Sequence, residues 1–382
     1  MKPLKPAPLA MLVAGNVALT FLMLAVVNLL CLAALAGYRS ITGRAASDDR
    51  WTLPVHDDPE RARLILEEVR SLTAAYEPFV GWTRLPFSGA TVTVGENGDR
   101  GHRPPSRADA PSHTVRFFGG STMWGIGVDD QGTIPALYNE VDPLALVTNH
   151  GESGFNSRQG LDRLISLYAT GWHSDVVVFY DGVNEVFGGC QVGEDVPSHG
   201  QAHLIRNALR ANRARGSARR ALAFALDQLF LRFTRELSAG VRRRLTTTAQ
   251  EQVGVAETYD CDTDPQKAGR VADALLVNWE LAHAIVTSHG GRFIAILQPN
   301  AHVGAPRIDH LTGRLHPELG RNYRALYPLF RERIARADTR WMLDWAEAFD
   351  VEAPLYIDDF HVVEAGNRLI AGRIHDTIRT LR

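Results

Sequence analysis

The stretch Thr114-Val-Arg-Phe-Phe-Gly-Gly-Ser121-Thr-Met-Trp-Gly125 joins a short apolar run to a glycine-rich turn. An apolar run of this length, rich in β-branched and aromatic residues, is typical of a buried strand. The glycines that follow let the backbone turn sharply, and Ser121 stands where a helix can begin. The stretch therefore predicts a strand, a tight turn and a helix, with a serine at the turn.

The same order of strand, loop and helix recurs along the rest of the chain. Strands that alternate with helices predict an α/β fold whose parallel sheet is covered on both faces. The predicted strands are Thr114–Phe118, Ala145–Thr148, Val176–Tyr180 and Arg292–Leu297, and the predicted helices cover residues 132–141, 158–170, 318–336 and 364–380.

The N-terminal region has no formal charge from Pro6 to Tyr38 and consists mostly of apolar residues. About 20 apolar residues span a bilayer core, so we expect a transmembrane helix over residues 8–37 after a cytoplasmic N-terminus of residues 1–7. Ala34-Leu35-Ala36 also resembles the cleavage site of a signal peptide, which is the alternative interpretation.

The orientation of this helix depends on few charges. Lys2 and Lys5 precede it, and Arg39 and Arg44 follow it, which gives a slight preference for an N-terminus inside the cell. A single-pass protein of the cell inner membrane, with the rest of the chain periplasmic or extracellular, is the resulting prediction.

Residues 38–113 separate the apolar helix from the first predicted strand. Residues 39–60 are polar and indicate a juxtamembrane linker. Pro59–Ala75 has apolar residues at helical spacing, and Phe79–Arg103 is rich in glycine and β-branched residues. We therefore expect a helix and then a small β-hairpin ahead of the main domain at 114–382.

A long insertion at about residues 188–275 interrupts the α/β pattern. Its middle is rich in arginine, and it contains the apolar segment Leu222–Leu231. It is either a helical cap that touches anionic lipid or an acidic glycan, or a solvated basic helix pair packed on the domain. Cys190 and Cys261 lie in the insertion. They either form a disulfide, if this part of the chain is outside the cytoplasm, or are two unrelated thiols.

Four polar segments follow strands or precede the last helix, where a doubly wound sheet places its active site. Their central residues are Ser121, Gly154, Asn184 and the pair Asp358 and His361. The N–H groups of the Ser121 turn and the Asn184 amide can donate hydrogen bonds to an oxyanion. Asp358, three residues before His361, can fix the imidazole tautomer so that Nε2 accepts the serine proton.

These segments resemble, in order, blocks I, II, III and V of the SGNH (GDSL-type) hydrolase superfamily over about residues 114–380. Gly120 departs from the usual signature, which has Asp there. The resemblance implies a doubly wound, flavodoxin-like three-layer sandwich with a mostly parallel five-stranded sheet. It also implies Ser121 as nucleophile, His361 as base and Asp358 as its orienting residue, with Ser121, Gly154 and Asn184 forming the oxyanion hole.

The expected reaction is acyl transfer through an acyl-enzyme, which requires no metal or cofactor. We expect an esterase that removes acyl groups, especially acetyl, from a carbohydrate or related ester of the cell envelope. One alternative is an O-acyltransferase that moves acetyl groups onto an exopolysaccharide, with a membrane acyltransferase as candidate partner. Another is a catalytically silent assembly module. The formal net charge of −2 indicates no nucleic-acid partner.

Overall fold

A computed structural model describes most of the 382-residue chain. The described residues are 9–41, 48–101, 110–191 and 259–381, together with Ala202, Ile205 and Leu209. The chain divides into two compact units: Met1–Ser47 with Arg206–Gln252, and Asp48–Ile205 with Val253–Arg382. The arginine-rich part of the insertion, including Leu222–Leu231, lies outside the described residues.

The described residues of the first unit include a long helix, α1 (Leu9–Ile41). Within it, Gly15–Ala33 is long and apolar enough to cross a membrane, a property that a signal sequence near an N-terminus shares. The predicted transmembrane role of residues 8–37 therefore stays a prediction.

The second unit is built around a parallel sheet, which confirms the predicted fold class. Its strands are β5 His113–Gly119, β6 Ala145–Asn149, β7 Val176–Asp181, β8 Arg292–Leu297 and β9 Met342–Asp344. They lie in the order β6-β5-β7-β8-β9. Because β6 and β7 flank β5, the connections diverge at the carboxyl end of β5, where doubly wound sheets bind their ligands.

Helices cover both faces of this sheet. Alternate residues of β7 point to opposite faces, so Val177 and Phe179 enter one apolar cluster and Val176 and Val178 the other. The first cluster is closed by helices α5 (Ser157–Ala169), α7 (Pro265–Ser288) and α8 (Pro317–Ala337), and the second by α4 (Ile134–Val141) and α9 (Glu364–Thr380). Two shorter helices described in this unit are α3 (Ser121–Trp124) and α6 (Val183–Gly189).

Two elements differ from their predicted bounds. The predicted helix over Pro59–Ala75 ends earlier, because α2 spans Pro59–Ser71 and β1 (Ala74–Glu77) pairs antiparallel with β2 (Gly81–Arg84). Strand pairing outweighs the helical spacing at these last residues. Helix α7 begins inside the predicted insertion, and its Leu275 and Trp279 are fully buried in the core.

A second short hairpin lies within the glycine-rich segment. Strand β3 (Phe87–Ser88) pairs antiparallel with β4 (Thr93–Val94). Arg100 then forms bridges to Val94 and to Asn149 at the end of β6, so the hairpin is joined to the main sheet. The segment before the main domain therefore lies against the carboxyl edge of the sheet.

A disulfide joins Cys190, at the end of α6, to Cys261, just before α7. The two cysteines are 71 positions apart in sequence. In the chain-entropy model, closing a loop of this length stabilises the fold by about 4 kcal/mol.

We expect Cys190→Ser/Cys261→Ser to lower the free energy of unfolding by roughly this amount, measured by urea denaturation of detergent-solubilised protein. Equal urea midpoints for wild type and double variant, both under oxidising conditions, would contradict this.

Candidate active site

The Ser121 turn follows directly from the end of β5. Gly119 has φ +154°, and a side chain there would come within 2.6 Å of the Tyr180 carbonyl oxygen. A side chain at Gly120 would come within 2.1 Å of Asn184 Nδ2. The close approach of β5 to β7 therefore requires a glycine at 119, whereas a side chain at 120 would displace the Asn184 amide. Ser121 is the first residue of α3, whose initial N–H groups have no acceptor within the helix.

Helix α3 is held by an aromatic side chain between two cations. The guanidinium carbons of Arg84 and Arg100 each lie 4.1 Å from the centre of the Trp124 ring. Arg84 also pairs with Glu152, and Arg100 Nε donates to Asp130 at 2.7 Å. Because Trp124 is fully buried, this arrangement fixes the helix that carries Ser121.

Asp358 and His361 lie at the tip of a tight hairpin loop before α9. The loop is closed by backbone bonds from Ile357 N to His361 O (2.8 Å) and from Val363 N to Leu355 O (2.9 Å). Asp358 Oδ1 also accepts the N–H groups of Phe360 (2.9 Å) and His361 (2.7 Å). The carboxylate thus holds the turn that presents the imidazole.

The loop places the imidazole between a carboxylate and a hydroxyl. His361 Nδ1 lies 2.7 Å from Asp358 Oδ2, and His361 Nε2 lies 2.8 Å from Ser121 Oγ. The side chains of Ser121 and His361 are 7% and 6% exposed, so bulk water is largely excluded from this contact. Since an ionised Asp358 can only accept, Nδ1 carries the proton and Nε2 is free to accept that of the serine.

The pKa of Asp358 agrees with an ionised carboxylate. Burial alone would raise it, but the positive charge and hydrogen bonds of His361, together with Arg50, hold it well below its usual range. A carboxylate in this state holds the proton of the neutral imidazole on Nδ1, which leaves Nε2 free to accept a proton.

Two predicted oxyanion donors meet beside the Ser121 turn. Asn184, in the first turn of α6, donates one Nδ2 hydrogen to the carbonyl oxygen of Phe155 at 2.7 Å. Phe155 follows Gly154, whose φ of +76° requires a glycine although there is room for a side chain. An amide has two hydrogens, so the second hydrogen of Asn184 Nδ2 is available for a bound oxygen.

Glu185 fixes the position of Asn184. Its carboxylate accepts the N–H groups of Ser157 (2.5 Å) and Gly182 (2.7 Å), which ties the start of α6 to the start of α5. Burial raises the pKa of Glu185, and these N–H groups oppose the rise. Asn149 has a similar role, because its Nδ2 donates to Met123 O at 3.0 Å and holds the end of α3.

One charged contact at this site has no counterpart in the sequence predictions. Arg50, in the 3-10 helix Asp49–Thr52, pairs through Nη1 with Asp358 Oδ2. The sequence placed Arg50 in a polar linker, and no local pattern singles it out. The structure thus brings Ser121, His361 and Asp358 together, brings Asn184 and the Gly154 loop beside them, and adds Arg50. The catalytic roles of these residues stay predictions.

No protein-family model and no curated relative matches the chain. Among solved structures, it is similar to an alpha/beta hydrolase enzyme from the metagenome of Lake Arreo, with 15% identity, a TM-score of 0.36, and coverage of 72% of this chain and 98% of that one. A carbohydrate acetylesterase from Sinorhizobium meliloti has 11% identity and a TM-score of 0.39, with 71% and 100% covered.

A third similar structure is a GDSL-like lipase from Bacteroides thetaiotaomicron, with 11% identity, a TM-score of 0.36, and coverage of 71% of this chain and 89% of that one. Of these three structures, the lipase is described as GDSL-like, the type that the four sequence segments resemble. At TM-scores this low, the similarity carries no argument about activity. What the site can do therefore follows from its own geometry.

Proposed function

We propose that this protein is a serine esterase of SGNH type that cleaves acyl esters, acetyl foremost, of a cell-envelope carbohydrate. The observation that carries the proposal is the continuous chain from Ser121 Oγ through the imidazole of His361 to the Asp358 carboxylate, with contacts of 2.8 and 2.7 Å. Hydrogen-bonded nucleophile, base and orienting carboxylate are the arrangement that acyl transfer requires.

In the proposed reaction, Ser121 Oγ attacks the ester carbonyl carbon while its proton passes to His361 Nε2. The Ser121 and Gly154 N–H groups and the Asn184 amide stabilise the oxyanion. His361 then protonates the leaving alcohol as the C–O bond breaks, which leaves an acyl ester on Ser121. Water, deprotonated by the same imidazole, then attacks that ester. The free acid is released and the serine hydroxyl is regenerated as it takes the proton back from His361.

The place of the reaction is proposed from α1. We infer that this helix anchors the chain in the cell inner membrane, with the domain that contains Ser121 periplasmic or extracellular. The disulfide between Cys190 and Cys261 supports this location, because such bonds persist in oxidising compartments. An envelope carbohydrate is the substrate class that such a location favours.

The test is release of acetate from acetylated polysaccharide and from a small aryl acetate by detergent-solubilised protein. The control is the same protein after inactivation by a fluorophosphonate, which a serine nucleophile attacks with loss of fluoride. Acetate released in water without an added acceptor supports the esterase. Acetyl groups that appear only on an added glycan identify a transferase instead, and the absence of any turnover and any labelling indicates a silent module.

The oxyanion role of Asn184 has its own test. We expect Asn184→Ala to lower kcat by about 10²- to 10³-fold with little change in KM, because the lost donor acts mainly in the transition state. Asn139→Ala is a matched control, since this buried amide donates to the carbonyl oxygens of Asp142 at 3.1 Å and Ala145 at 2.9 Å, at the amino end of β6. Similar kcat values for the two variants would remove Asn184 from the oxyanion hole.

A further inference from the structure

Arg50 contacts the carboxylate oxygen that the base also uses. Its Nη1 pairs with Asp358 Oδ2, and His361 Nδ1 donates to the same oxygen at 2.7 Å. The other side of the guanidinium is fixed by Asp48, which accepts from Nε at 2.8 Å and from Nη2 at 2.6 Å. Arg50 is therefore held in one orientation between two carboxylates.

We propose that Arg50 is a positioning residue of the triad. It fixes Asp358 and offsets its charge, so that His361 stays unprotonated down to a lower pH than it would without Arg50. The proposal rests on the proposed function of Ser121, His361 and Asp358. A carboxylate alone would strongly favour the protonated imidazole. A permanent cation on the same oxygen opposes that protonation, because it repels the imidazolium.

The other charged and titratable groups near this contact do not replace Arg50. Burial lowers the pKa of His56, whose Nε2 lies 3.0 Å from the Arg50 carbonyl oxygen, and so favours its neutral form. The next carboxylate, Asp359, is engaged with His302 at 2.6 Å. Burial also raises the pKa of Tyr356 far above neutrality. Among the described residues, the charged and titratable groups that interact with Asp358 or Arg50 are His361, Asp48, His56 and Tyr356, and Asp359 with His302 forms the next pair along the loop.

Arg50 comes from a segment outside the α/β core. The 3-10 helix Asp49–Thr52 is tied to the core by the ion pair between Asp49 and Arg314, at 3.0 Å. In sequence, Arg50 follows the end of α1 at Ile41 by nine positions. The chain between the apolar helix and the main domain therefore places a positive charge on the carboxylate that orients the proposed base.

The test is the rate of fluorophosphonate labelling of Ser121 as a function of pH, which requires no knowledge of the substrate. For wild type, labelling should fall in acid as His361 is protonated. We expect Arg50→Met to move the midpoint of this fall to higher pH by about one unit, because the repelling charge is gone. Arg50→Lys keeps the charge and should restore the wild-type midpoint of labelling, although a lysine cannot form the paired hydrogen bonds to Asp48.

Arg314→Met is the matched control, because it removes a cation that holds the same segment without touching Asp358. Its midpoint should equal that of wild type. Thermal unfolding shows which variants are folded. If Arg50→Met is not folded, Arg50→Gln replaces it in the labelling experiment. An unchanged midpoint in a folded Arg50 variant overturns the role of Arg50 alone, whereas absence of labelling in wild type overturns the proposed function.

Discussion

Ser121→Ala should lower kcat/KM for ester hydrolysis by about 10⁴- to 10⁶-fold and abolish fluorophosphonate labelling. Ser121 Oγ lies 2.8 Å from the base, and no other hydroxyl among the described residues forms a hydrogen bond with His361 Nε2. The remaining oxyanion donors can still polarise a bound carbonyl, so a small residual rate above that of water is expected. The measurement is steady-state hydrolysis of an aryl acetate together with in-gel labelling.

Ser166→Ala is the control for this variant. Ser166 lies on α5, its hydroxyl donates to Asp162 O at 2.9 Å, and it has no contact with the site. Full labelling and activity should be retained. If Ser121→Ala is labelled as strongly as wild type, Ser121 is not the nucleophile and the proposed mechanism is wrong.

Four of the five strands of the sheet could be predicted from the sequence because their signals are local, whereas the three-residue edge strand β9 is absent from the predicted strands. All six residues of β7 are buried. A strand buried on both faces has a continuous apolar run, and the first and last residues of that run can be located in the sequence. The predicted bounds Val176–Tyr180 differ from the observed Val176–Asp181 by one residue. The end of α2 could not be predicted, because it depends on the pairing of Ala74–Glu77 with another strand.

In the site, too, contacts between residues with local signals could be predicted, and a contact between distant residues could not. Asp358 and His361 are three residues apart, so one tight loop brings them together and spacing alone suggests the pair. Ser121 and Asn184 each follow a strand, and parallel strands place their carboxyl ends at one edge. The contact between Arg50 and Asp358 joins residues 308 positions apart, and neither residue has a local pattern that indicates the other.

The disulfide shows what only three-dimensional structure can decide. The sequence left a bond between Cys190 and Cys261 and two separate thiols equally open. Their Cα atoms are 5.2 Å apart in the structure, within the range that a disulfide can join. That distance depends on how α6 and α7 pack on the sheet, which no pattern within the insertion encodes.

Asp358→Asn should lower kcat by about 10³- to 10⁴-fold while leaving Ser121 and the oxyanion donors in place. An amide at this position can donate to His361 Nδ1, which would move the imidazole proton to Nε2 and prevent that atom from accepting the serine proton. The substitution also removes the Asp358 carboxylate from Arg50, which keeps its contacts with Asp48. The measurement is kcat at neutral pH, with thermal unfolding to show that the variant is folded.

The loss of stability in this variant should depend on pH. His361 and Arg50 hold the pKa of Asp358 below its unfolded value of about 3.9, so the folded protein binds fewer protons than the unfolded chain in acid. The stabilisation by ionised Asp358 is therefore complete above about pH 5 and is lost as pH falls further. We expect the wild type to be more stable than Asp358→Asn at neutral pH and this difference to shrink below about pH 4.

Asp359→Asn separates the role of Asp358 from that of a buried carboxylate in general. Asp359 is 5% exposed and accepts from His302 and from the His316 N–H at 2.9 Å, so its loss should also destabilise the fold. It makes no contact with His361, and kcat should stay within about tenfold of wild type. Equal losses of kcat in the two variants would mean that Asp358 acts only through stability, whereas a loss confined to Asp358→Asn identifies it as the residue that orients the base.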